Sequence, residues 1–222
     1  MGLPSIYRAD GTEAFYSDQC ILGFGSKAFE FHRDWPAAMR FIGPVFESPL
    51  KGGTPAALDD RGAHVLVTLG THLEWAKSRA LEVVRDLARQ RPDWTFHFSR
   101  GQSGGTGVEV HGNLHVHDYI PYDDLNGYRC ALVHGGAGIV YACLAHGLPM
   151  VVWPHDYDQF DNAARVVAAG AGVRTKGTAR SLLRALDLMD ADPLYRTAAS
   201  QMQAELRAES PAAKVSALLM AR

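Results

Sequence analysis

From residue 64 onward, short apolar runs alternate with amphipathic stretches, the pattern of a parallel sheet with helical crossovers. Residues 64–69 (HVLVTL) are a continuous β-branched run, as a strand covered on both faces requires. Residues 74–91 then place Ala76, Ala80, Val83, Val84, Leu87 and Ala88 at helical spacing, and Pro92 closes the segment. The same alternation predicts strands over 94–98, 114–116 and 130–133. It continues with a helix over 137–146 ended by Gly147, a strand over 150–153 and a helix over 159–169. The tail is helical too: Asp192-Pro193 and Ser210-Pro211 each set a capping residue before a proline at the first helical position. Residues 101–107 (GQSGGTG) read as a flexible loop.

Residues 1–62 break this pattern. They hold two brief apolar runs, 20–24 and 41–46, followed by a Gly/Pro/Asp-rich stretch over 51–62. That is too little for a core of its own. The expected division is therefore a linker or remnant segment over 1–62 and one α/β domain over 63–222, C-terminal helices included.

Composition removes several function classes. A net charge of −2 supplies no basic field, so nucleic acid is not an expected partner. The three cysteines, Cys20, Cys130 and Cys143, are scattered without C-x-x-C spacing and read as reduced thiols. Charges and glycines interrupt the first twenty residues, and no apolar run approaches the roughly 20 residues of a membrane helix. A cytoplasmic chain without a membrane span is expected.

The densest chemistry lies in residues 132–159, LVHGGAGIVYACLAHGLPMVVWPHDYDQ. A buried strand ends at Val133 and delivers His134 to its carboxyl edge, where ligands of open α/β sheets sit. Gly135, Gly136 and Gly138 form a turn that opens a helix, and a helix N-terminus leaves N–H groups and partial positive charge for phosphate oxygens. Spacing alone fits equally a tight turn with a satisfied core histidine. Asp158 precedes the next apolar-periodic helix and is a candidate cap as well as a ligand. Thr71 with Glu74 likewise fits a capping box.

This stretch resembles the donor-binding signature of the UDP-glycosyltransferase superfamily, in particular its bacterial macrolide and natural-product branch. The matching residues are His134-Gly135-Gly136-Ala137-Gly138, Gly147-Leu148-Pro149, Pro154, Asp158-Gln159, Asn162-Ala163 and Gly170-Ala171-Gly172. Upstream, Thr68-Leu69-Gly70-Thr71 and Asp118-Tyr119-Ile120-Pro121 resemble two further loops of that domain, so the resemblance covers about residues 40–222. It implies a Rossmann-like parallel sheet with helices on both faces, a single GT-B half-domain. It also implies that His134 and the backbone of Gly135, Gly136, Ala137 and Gly138 hold the diphosphate of a nucleotide-sugar. Asp158 and Gln159 would bond the sugar hydroxyls, Tyr119 would stack on the base, the Ile120 backbone would reach its edge, and Gly70 and Thr71 would flank the donor. The reaction implied is an inverting transfer to a hydroxyl of a small acceptor, with no metal or other cofactor.

Three positions depart from that pattern. Ile139 stands where Ser or Thr is usual, Ala142 where the plant-type enzymes carry a ribose-binding Glu, and Tyr122 where Gln is usual. The loss of the Glu tilts the donor toward a dTDP-sugar over a UDP-sugar. Residues 31–47 resemble the passage into the interdomain linker, so the resemblance implies that the acceptor-binding half, with its general base, is absent. No catalytic residue is assigned. The chain is expected to be inactive alone, as a fragment of a longer protein or as one subunit of a split enzyme; a partner chain carrying an acceptor domain, or a second copy, is a candidate partner. The apolar faces of the helices over 193–222 are candidate contacts. The rival reading is a nucleotide-binding regulatory subunit without catalysis.

Overall fold

The computed structural model describes residues 16–45, 56–59, 62–102 and 104–220. The N-terminal fifteen residues, the end of the second apolar run and much of the Gly/Pro/Asp-rich stretch lie outside the described residues. In chain order the elements are β1 (Ile21–Gly23), a 3₁₀ turn (Lys27–Phe29), β2 (Met39–Phe41), β3 (Ala63–Thr68), α1 (Glu74–Gln90), β4 (Trp94–Ser99) and β5 (Val108–His111). There follow β6 (Leu114–His117), β7 (Tyr128–Val133), α2 (Ala137–Ala145), β8 (Met150–Val152), α3 (Gln159–Ala168), β9 (Gly172–Arg174), α4 (Ala179–Ala191), α5 (Leu194–Arg207) and α6 (Pro211–Met220). They fall into two compact units, Phe46–Ala208 and the pair of segments Met1–Val45 and Glu209–Arg222.

In the larger unit, seven described strands form one sheet in the order β5-β6-β4-β3-β7-β8-β9, all parallel except the β5–β6 hairpin. Its α/β, doubly wound architecture is the one expected. Val65, Val67, Phe96, Phe98, Leu114 and Val116 point to one face and share a core with α1 and α4, through Ala80, Val84, Leu87, Leu182 and Leu186. Each such fully buried large side chain contributes about 1.5–3 kcal/mol. Ala131 and Val133 alternate to the other face and are equally buried. There α2 packs on β7, and α5 packs on α2. An apolar sequence all round suits a helix enclosed on two sides.

α5 is anchored by more than its apolar face. Arg196 donates to the carbonyls of Gly147 (3.0 Å) and Tyr128 (2.9 Å), and Gln203 Nε2 donates to Ala145 O (2.8 Å) at the end of α2. Ala199, Met202 and Leu206 are buried. Of the apolar face expected to be free on this helix, Met202 and Leu206 are covered within its own unit and Leu194 stays exposed. Asp192 does cap it, accepting from the Leu194 N–H at 2.9 Å.

Two features escaped the apolar pattern. Strand β5 is exposed along its length and therefore carries no buried run. Its hairpin is held from the turn, where Asn113 Nδ2 lies within 2.7–2.9 Å of the carbonyls of Ala88, Arg91 and Trp94. The loop ahead of β5 is not free as expected. Gly107 N–H donates to Asp118 Oδ2 (2.8 Å), and a side chain at Gly105 or Gly107 would meet that carboxylate. These glycines let the loop close on Asp118.

In the smaller unit, helix α6 groups with the N-terminal segment. β1 and β2 pair in parallel, Ile21 opposite Met39. Ser26 caps the 3₁₀ turn and its hydroxyl donates to Glu209. Lys214 pairs with Glu209 and donates to the Phe41 carbonyl (3.4 Å). Two three-residue strands do not stand alone, so this unit depends on a helix nearly 170 residues away. All three cysteines are free thiols, Cys130 and Cys143 buried.

Candidate functional site

From β3 the chain steps outward through β4 to β6; β7, β8 and β9 then continue on the opposite side of β3. The order reverses between β3 and β7, and the crevice outside the carboxyl ends of strands at such a reversal is where open sheets bind ligands. The Gly70-Thr71 turn leaves β3, and His134 is the first residue after β7. The sheet topology therefore brings two motifs 64 residues apart to one place.

The imidazole of His134 fills the gap between the two turns. A Cβ on Gly70 would lie 2.9 Å from His134 Cε1, and a Cβ on Gly136 would collide with His134 Nε2. Gly70 also holds φ +69, and Gly135 holds φ +96 against Val152 and the backbone of Gln159. Three of the motif glycines are thus required by close approach. Gly138 differs: nothing lies within 4 Å of where its Cβ would be. Ala137 and Gly138 are exposed, and α2 begins at Gly136 with no side-chain cap on its first N–H groups. The result is an open, uncapped helix N-terminus beside an imidazole.

His134 Nδ1 is buried without a hydrogen-bond partner among the described residues. Burial lowers its pKa to about 4, outweighing the Thr68 backbone and the Asp158 charge, which favour the proton. The ring is therefore neutral at pH 7. A neutral N–H still makes a charge-assisted bond when its acceptor is a phosphate.

The loop after β8 forms the second wall. Gln159 is buried, and its Oε1 accepts from the N–H groups of His155 (2.9 Å) and Asp156 (3.0 Å). Two backbone donors fix the orientation of that amide. Its oxygen is committed to shaping the loop, which leaves the amide nitrogen as the end for a ligand hydroxyl. Asn162 Nδ2 ties the two walls, donating to Gly135 O (2.9 Å) and to Asp158 Oδ2 (3.1 Å). Asp158 is exposed and makes no capping bond to α3, so of its two readings the cap is not realised.

Other expected residues are placed differently. Thr71 is exposed, but the predicted capping box does not form: α1 starts after Leu73, and Glu74 pairs with Lys77. Tyr119 is only 3% exposed, so it is packed within the fold and presents no open face to a base. The Ile120 N–H is donated to Ser99 Oγ (3.1 Å), which leaves its carbonyl for any ligand edge. Ile139 and Ala142 are buried, so these two departures serve packing. The sequence reading missed an aromatic rim. Trp75 (70% exposed) meets the His155 ring edge-on at 5.8 Å, His155 lies 4.7 Å from Trp153, and Tyr157 (82% exposed) holds φ 51. Two large exposed aromatics within a few residues of Thr71 and Asp158 were the signal available.

The family described as Erythromycin biosynthesis protein CIII-like, C-terminal domain, matches residues 93–221, more than half of the chain. The chain belongs to this CIII-like C-terminal domain family. It is 30% identical over 220 residues to 4'-demethylrebeccamycin synthase of Lentzea aerocolonigenes, covering 94% of this chain and 51% of that protein. It is 27% identical over 186 residues to human UDP-glucuronosyltransferase 2A3, covering 78% of this chain and 34% of that one. The chain thus spans about a third to a half of the length of the curated relatives it matches. Among solved structures, the glycotransferase of kitacinnamycin superposes with a TM-score of 0.63 at 29% identity, over 77% of this chain and 46% of that one. Spinosyn rhamnosyltransferase SpnG complexed with thymidine diphosphate gives 0.72 at 22% identity, over 90% and 56%. The larger unit has the Rossmann-like fold of a GT-B C-terminal domain.

Proposed function

We propose that the larger unit binds a nucleoside diphosphate sugar and is the donor-binding portion of an inverting glycosyltransferase. The observation that carries this reading is the His134 ring seated between Gly70 and Gly136, beside the uncapped N-terminus of α2 with open space at Gly138. The α2 dipole and the His134 N–H hold the diphosphate, and Asp158 with the Gln159 amide nitrogen holds the sugar. In the transfer, an acceptor hydroxyl oxygen attacks the anomeric carbon as its bond to the β-phosphate oxygen breaks. The electron pair leaves on the diphosphate, where the helix N-terminus and His134 stabilise it in place of a divalent cation. The hydroxyl proton passes to a base on an acceptor-binding part that this chain does not supply. The relatives' length, about 1.9 to 2.5 times this chain's, supports that division. Ala142, too small to reach ribose hydroxyls, favours dTDP over UDP, and the exposed Trp75 and Tyr157 suit an apolar acceptor.

Calorimetric titration of the chain with dTDP, UDP and GDP tests the reading. One site for dTDP or UDP is expected, weakened about 10- to 100-fold by His134→Ala. Silence toward all three nucleotides overturns it. The chain alone is expected not to transfer sugar to an added acceptor, and turnover there would remove the need for a second part. A non-catalytic nucleotide-binding subunit is the second reading, favoured by Ile139 in place of a hydroxyl donor; it predicts nucleotide binding without transfer even when the acceptor-binding part is added.

A further inference from the structure

Four histidines on three adjacent strands line one face of the sheet. Parallel register sets His97 of β4 opposite His115 of β6, and Ser99 opposite His117. It also sets His64 of β3 opposite Thr95, two residues from His97. Alternate strand residues return to the same side, so His64, His97, His115 and His117 share it. His64, His97 and His117 are buried and His115 is half-buried.

Their hydrogen bonds run in one direction. His64 Nε2 is 3.0 Å from the Asp59 carbonyl, an acceptor, so that nitrogen donates. In a neutral ring His64 Nδ1 then accepts, and it lies 2.9 Å from His97 Nε2. His97 Nδ1 accepts in turn from His117 Nε2 at 3.2 Å. The row ends on His117 Nδ1, a buried lone pair with no partner among the described residues.

We propose that His97, His115 and His117 form a binding site for a borderline divalent cation of the Zn²⁺ class. One ring nitrogen from each lies within 4.8 Å of the other two. The 3.2 Å separation of His97 Nδ1 and His117 Nε2 is close to the edge of a zinc tetrahedron, about 3.3 Å for Zn–N bonds of about 2.0–2.1 Å. Imidazole suits zinc, copper and nickel, and three histidines leave a fourth position for water. His115, the one ring of the three with solvent access, closes the remaining gap by turning inward. The support behind the site is that of a metal-binding histidine: His97 donates its other N–H to His64, which is oriented by Asp59. On binding, the proton that His117 holds on Nε2 moves to Nδ1, so every ring stays neutral. The ion ties β4 to β6 and takes no part in sugar transfer.

The test uses untagged chain, stripped with EDTA, and Co²⁺ or Zn²⁺ alone. One equivalent of Co²⁺ is expected to give the visible absorption of a four-coordinate nitrogen-rich site, bleached by one equivalent of Zn²⁺. Zn²⁺ is expected to raise the unfolding temperature. His115→Ala, at a half-buried position, should keep the far-UV circular dichroism and lower Zn²⁺ affinity at least about tenfold. His111→Ala, on the exposed neighbouring strand, should leave it unchanged. Absence of saturable one-equivalent binding overturns the proposal, as does binding that His115→Ala and His117→Gln both leave intact; the histidines would then be a hydrogen-bonded row only.

Discussion

The turn after β7 and the connection after β6 leave the same edge of the sheet and are built in opposite ways. After β7, glycines let an imidazole approach the backbone, the helix start carries no side-chain cap, and Gly138 faces open space. After β6, Tyr119 is packed, the Ile120 N–H is spent on Ser99, and Asp118 is held by the Gly107 N–H. One turn leaves its helix N–H groups without a side-chain partner, and the other satisfies its polar groups within the protein. A buried polar group is nearly always paired, so the turn that leaves groups open is where binding free energy is available.

The largest expected effect breaks the first turn outright. Gly70→Ala must place a Cβ against the His134 ring at a positive φ, and a loss of about 3 kcal/mol is expected in urea unfolding. Next comes acid. Above pH 6.5 the unfolded chain and the folded one both hold this histidine neutral. As pH falls from about 6.5 toward about 4, the unfolded ring takes up a proton that folded His134 refuses, so stability is lost across that window. His134 alone should account for about 3 kcal/mol of it, seen as a shallower acid slope in His134→Ala.

Gly138→Ala sharpens the contrast within the same turn. With no neighbour within 4 Å it should fold as well as the parent, or gain up to about 1 kcal/mol of helix propensity. Nucleotide affinity should nonetheless fall, because the methyl occupies the approach of the phosphate. The smallest effect is expected on the other turn. Tyr119→Leu should leave nucleotide Kd within about twofold, whereas a stacked base would lose about 1–3 kcal/mol with the ring.

Much of the sheet unit was legible because its strands are covered on both faces and so appear as unbroken apolar runs. Residues 64–69 and 130–133 are such runs, and β3 and β7 lie there. The His134–Gly138 turn was legible for a related reason: close approach of an imidazole to backbone demands glycine at set positions. β5 was not, since an exposed edge strand needs no apolar pattern. Nor was the conflict between motif and presentation at Tyr119, where residue type names a chemistry but only the surrounding packing decides whether the ring reaches a ligand.

By itself the chain's residue order determined the α/β alternation, the local turns and the residue types available for chemistry, because these depend on neighbours within a few positions. Tertiary structure alone decided three things: that Gly70 and Gly136 enclose one imidazole, that α6 completes the N-terminal unit, and that four histidines spread over 54 positions share one sheet face. Each depends on strand order and register. Those follow from how the whole set of apolar faces is buried together, and no local pattern encodes them.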